Sequence, residues 1–71
     1  MPPIPTYYEI YIQEPLADCW REWFDGLEVA SQPGGTLLHG SLPDQTALFG
    51  VLARIRDLNL TLISVRRFDD P

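Results

Sequence analysis

Residues 6–13 (TYYEIYIQ) alternate, with Tyr8, Ile10 and Ile12 on one side of an extended chain and Tyr7, Glu9, Tyr11 and Gln13 on the other. A period of two, carried by β-branched and aromatic residues, predicts a strand with one buried face. Glu14-Pro15 ends it. The period then lengthens. Leu16, Cys19, Trp20, Trp23 and Phe24 recur at helical spacing, while Asp18, Arg21, Glu22 and Asp25 occupy most of the remaining circumference. Pro15 suits the first turn of a helix and Gly26 the left-handed residue beyond its end. A first helix of only about ten residues is expected to depend on burial of its aromatic rings.

Residues 27–31 (LEVAS) and 35–42 (GTLLHGSL) read as two further strands. Gln32-Pro33-Gly34-Gly35 has the chemistry of a tight turn: proline presets one torsion and glycine accepts a positive φ. An antiparallel hairpin follows. Pro43-Asp44 closes it and opens a helix over residues 45–58, with Asp44 as its cap and Leu48, Val51, Leu52, Ile55 and Leu58 as its apolar stripe. Arg54 and Arg56 near the C-terminal end complement the helix dipole, and Asn59 is suited to stop the helix. Residues 60–68 (LTLISVRRF) form the last strand.

The order β-α-β-β-α-β predicts an α+β, ferredoxin-like fold: a four-stranded antiparallel sheet with two helices on one face, the first of them short. Right-handed crossovers would put the first and third strands in the centre. A single domain is expected over residues 6–68, after an extended proline-rich leader (1–5) and before a polar tail (69–71).

If both helices share one face, the other must meet water or a partner. Tyr7, Glu9 and Tyr11 are expected there from the first strand, and Leu37, His39 and Ser41 from the third. The last strand is apolar on both sides near its start, at Leu60, Leu62, Ile63 and Val65. The expected interaction surface therefore comprises Tyr7, Tyr11, Leu37, His39, Leu62 and Arg66. A contiguous apolar patch of this kind marks a contact site. For a chain of 71 residues, self-association through this face or an edge strand would also add buried area to a small core.

Composition narrows the functions. Ten acidic side chains against five arginines give a formal charge of -5, the wrong field for a phosphate backbone. One cysteine permits neither an internal disulfide nor a multi-thiolate zinc site. No apolar run approaches the ~18 residues of a membrane span, and the start lacks the pattern of a secretory signal, so the expected address is a reducing cytoplasm.

No side chains assemble into a catalytic motif. His39 is the sole histidine, with no nucleophile or second ligand at a telling spacing. Cys19 lies on the apolar stripe and reads as a buried, inert thiol, and Trp20, Trp23 and Phe24 read as core. Gly34-Gly35 lacks the strand-to-helix setting of a phosphate loop. Arg66-Arg67 is followed at once by Asp69 and Asp70, and the remaining acids are scattered. No catalytic residue, metal or cofactor is expected.

The stretch from Trp20 to Arg67, with WREWF-x-GL, a glycine-bearing hairpin and LPDQ-x-AL-x-GVLARIRDLNL-x-LISVRR, resembles small bacterial proteins of unassigned function. The resemblance implies no activity and no functional residue. The expected function is a non-enzymatic protein-interaction or regulatory module, a homodimer or the partner of another protein. Two other readings remain open from sequence. One is a dimeric α+β-barrel-like domain that binds or transforms a small molecule with His39, Tyr7 and Tyr11. The other is a single-stranded RNA binder that stacks bases on the same tyrosines, against which the acidic charge counts.

Overall fold

The computed structural model describes residues 5–16, 23–24 and 26–68. Among them, strand β1 spans Thr6–Ile12, β2 Glu28–Gln32, β3 Gly35–Leu42 and β4 Leu62–Phe68, with helix α1 at Gln45–Asp57 between the last two strands. They form one sheet in the order β2-β3-β1-β4, with every neighbouring pair antiparallel. β1 and β3 take the centre, as the crossovers of the chain order led one to expect.

The alternation sorts the side chains as the sequence implies. Tyr8, Ile10 and Ile12 of β1 and Thr36, Leu38 and Leu42 of β3 are buried. All but Thr36 join Leu48, Val51 and Ile55 of α1, together with Leu16, Phe24 and Leu27, in one apolar cluster. Both ends of α1 are closed by local chemistry. The Asp44 carboxylate accepts the Ala47 N–H at 2.9 Å. At the other end Asn59 takes the left-handed conformation (φ 58°), and the N–H groups of Asn59 and Leu60 donate to the carbonyls of Arg56 and Ile55. This paired arrangement satisfies carbonyls that the last turn leaves open. In the hairpin, Gly34 at φ 84° takes the torsion that follows proline in a type II turn.

The expected two-helix ferredoxin-like fold does not hold. α1 is the single helix among the described residues. The expected first helix falls largely on residues 17–22, which lie outside the described residues, as do the leader 1–4 and the tail 69–71. What is described of the β1–β2 connection is held from outside by hydrogen bonds. The Thr36 hydroxyl on β3 donates to the Glu14 carbonyl at 2.8 Å and accepts the Leu16 N–H at 3.1 Å. At its far end the Leu27 N–H donates to the Phe24 carbonyl at 3.0 Å, with Gly26 at φ 84°. Phe24 is completely buried, as expected of core, but Trp23 is 47% exposed, contrary to its place in the predicted stripe. The physical reason for the exposure of Trp23 is local: its ring lies over the outer side of α1, beside the Arg54 guanidinium, and not among the buried residues.

A second correction concerns β4. Its register against β1 shifts between Tyr11, which faces Ser64, and Ile12, which faces Leu62, leaving Ile63 as an extra residue. This β-bulge reverses the side on which Leu62 falls relative to simple alternation from Ser64. Just before it, the Glu14 carboxylate accepts the Thr61 N–H at 2.7 Å and the Thr61 hydroxyl at 2.8 Å. The Gln13 N–H donates to the Thr61 carbonyl at 2.9 Å. Together these bonds clamp the end of β1 to the chain leading into β4.

Candidate interaction surface

Residues directly opposite one another in neighbouring strands point to the same side of a sheet. On the side away from the apolar cluster, the register therefore composes three rows. Ser41, Tyr7 and Phe68 make the first. Glu28, His39, Glu9 and Arg66 cross all four strands in the second. Ala30, Leu37, Tyr11 and Ser64 make the third.

Five of the six residues expected to share a surface are thus brought together: Tyr7, Tyr11, Leu37, His39 and Arg66. Leu62 is not among them, because the bulge sets it opposite buried Ile12. In its place the face carries Phe68, 38% exposed, which the sequence reading passed over. The signal was available in the alternation Ser64, Arg66, Phe68, once Arg66 is assigned outward.

Tyr7 is the hub. Its ring meets Phe68 edge-on at 5.5 Å between centroids and lies 6.4 Å from the His39 ring at a 48° tilt. The Arg66 guanidinium sits 5.2 Å from the centroid of Phe68, a cation–π distance. The Tyr7 hydroxyl donates to the Glu9 carboxylate at 3.4 Å. Partial desolvation, followed by the charge of Glu9 and this hydrogen bond, raises the Tyr7 phenol above its ordinary value. Tyr7 accordingly stays protonated at neutral pH, where it acts as a hydrogen-bond donor and a flat apolar surface. The central residues Tyr7, Tyr11, Leu37 and His39 are half-buried.

On the opposite side of the molecule, Trp23, Ala47, Gly50, Val51 and Arg54 line a shallow groove of about 230 Å³, with the Arg54 guanidinium 6.0 Å from the Trp23 ring. Among the described residues no group of three or more His, Cys, Asp or Glu side chains is placed to hold a metal ion. Nor is any helix among them long and apolar enough to cross a membrane.

These features define a small α+β domain whose helix covers one face of the sheet, while among the described residues no element covers the other. The chain belongs to the family described as a domain of unknown function (DUF8691), whose profile matches residues 7–66. Neither a curated protein nor a solved structure matches it.

Proposed function

We propose that this protein is a non-enzymatic protein-interaction module that works in a reducing cytoplasm and binds another protein chain through the open face of its sheet. The observation that carries the reading is the three-row surface itself. Aromatic and aliphatic side chains at Tyr7, Tyr11, Leu37 and Phe68 surround a polar row on a rigid, hydrogen-bonded platform. Aromatic side chains with a few ordered polar groups are the composition of contact surfaces. The acidic chain speaks for a protein partner over a nucleic acid.

Both sheet edges are less suited to the task. β2 is a five-residue strand with exposed Glu28 and Gln32, and β4 carries a bulge together with Arg66 and Arg67. Short length, charge and bulges are the devices by which edges avoid pairing with other chains.

A photo-crosslinking residue, benzoylphenylalanine, tests the reading when introduced in living source cells at position 37 or, as a control on the exposed face of α1, at position 49. A crosslinked protein adduct from position 37 and none from position 49 is expected. Adducts from position 49 alone, or none from either, would overturn it.

A further inference from the structure

The polar row on the open face has an order that bears on the identity of the partner. From β2 to β4 it reads Glu28, His39, Glu9, Arg66. Two sheets that pack face to face keep their strands within about 30° of each other. A two-fold axis relating two copies in this way can run along the strands or across them. An axis across the strands at the level of this row would set each of its residues against itself, Glu28 on Glu28, Glu9 on Glu9 and Arg66 on Arg66. An axis along the strands, between β3 and β1, reverses the row. Arg66 then meets Glu28 of the second copy, and Glu9 meets His39.

The flanking row obeys the same operation: Leu37 falls over Tyr11 of the second copy and Ala30 over Ser64. A surface that is complementary to its own reversed image is what a closed two-fold interface requires. Resting on the open-face reading above, we infer that the occupant of this face is a second copy of the same chain, packed about an axis parallel to β1 and β3, with Glu28–Arg66 and His39–Glu9 pairs between subunits.

Four strands spaced at about 4.8 Å, each presenting about 17 Å of length, give two such faces a combined footprint of roughly 650 Å². That is smaller than a stable specific interface, so association is expected to be weak, with dissociation on the order of 100 µM. Like-charge juxtaposition is penalised more heavily than an exposed pair is rewarded, so the charges act chiefly by selecting this axis over the other.

Glu28 and Arg66 stand on opposite edges of one sheet, three strand spacings apart, about 14 Å. That separation makes a charge-swap cycle decisive, because one side chain cannot rescue the other within a subunit. Sedimentation velocity on the purified full chain measures dimerisation. Arg66→Glu and Glu28→Arg are each expected to weaken it about tenfold, since each change introduces two repulsive contacts per dimer. Combined in one chain, they are expected to restore it to within about threefold of the wild type. Circular dichroism confirms that each variant is folded. A wild type that stays monomeric at 500 µM, single swaps that leave the dimer intact, or a double variant as weak as the singles would each overturn the inference. If the wild type is monomeric yet position 37 still crosslinks to a protein of another mass in cells, self-association fails while the open-face reading stands. No adduct from position 37 removes both.

Discussion

Thr36 offers the sharpest test of how the β1–β2 connection is attached to the sheet. It is the buried polar residue of β3, 1% exposed, and its single hydroxyl serves two backbone groups. It donates to the Glu14 carbonyl at 2.8 Å and accepts the Leu16 N–H at 3.1 Å. Thr36→Val preserves the shape and replaces the hydroxyl with a methyl group. The Leu16 N–H would then be buried without a partner, at a cost of about 1–3 kcal/mol, and the carbonyl bond adds about 1 kcal/mol. A loss of about 3 kcal/mol is a large part of the roughly 4–10 kcal/mol expected for a domain of this length. The midpoint of thermal unfolding should fall by roughly 15 °C.

Thr36→Ser separates this effect from packing, because it keeps the hydroxyl and gives up one methyl group for about 1 kcal/mol. Urea titration followed by tryptophan fluorescence measures both variants. The reasoning predicts the valine variant to be the less stable of the two. If Thr36→Val unfolds at the wild-type urea midpoint, or Thr36→Ser proves the worse, the hydroxyl is not what secures the connection.

Gly40→Ala should also destabilise, by about 1–3 kcal/mol in a urea titration, because the added Cβ would lie 2.6 Å from the Gly26 carbonyl at a φ of 151°. Asp44→Ala should lower stability by about 1 kcal/mol through loss of the cap on Ala47, with Asp44→Asn close to the wild type. Acid should act through Glu14. The Thr61 N–H, and after it the Thr61 hydroxyl, lowers the Glu14 pKa below its ordinary value. The folded state therefore binds this proton less readily than the unfolded chain, and the stabilisation is complete above the ordinary carboxylate range and fades as pH falls through the lowered value. Thermal melts across acid pH should show Glu14→Gln less stable than the wild type at neutral pH, with the gap closing in acid. A gap that is constant with pH would refute the assignment.

The open face was largely legible before any coordinates, because the exchange of sides in β1 and β3 follows from a strict period of two. His39 is polar, and placing it outward fixes Leu37 and Ser41 beside it and sends Leu38 and Leu42 into the core. The error at Leu62 came from the same rule applied where it breaks. An extra residue at Ile63 leaves no mark in LTLIS, where apolar residues stand on both sides. Phe68 lies beyond the bulge and follows from the simple alternation Ser64, Arg66, Phe68. The polar row was invisible for a different reason: Glu28, His39, Glu9 and Arg66 come from four strands, and no local spacing predicts which of them share a level.

The amino-acid sequence alone determined the local elements. Asp44 and Asn59 bound one helix, Pro33-Gly34 turns one hairpin, and alternating residues mark central strands, because each depends on torsions and hydrogen bonds within a few residues. Tertiary structure alone decided how the β1–β2 connection is tied down, by a hydroxyl twenty residues away, and where β4 slips its register against β1. It also decided that a row of polar and charged side chains from all four strands would share one level of the sheet. Register is a relation between distant segments, settled by the packing of the whole sheet.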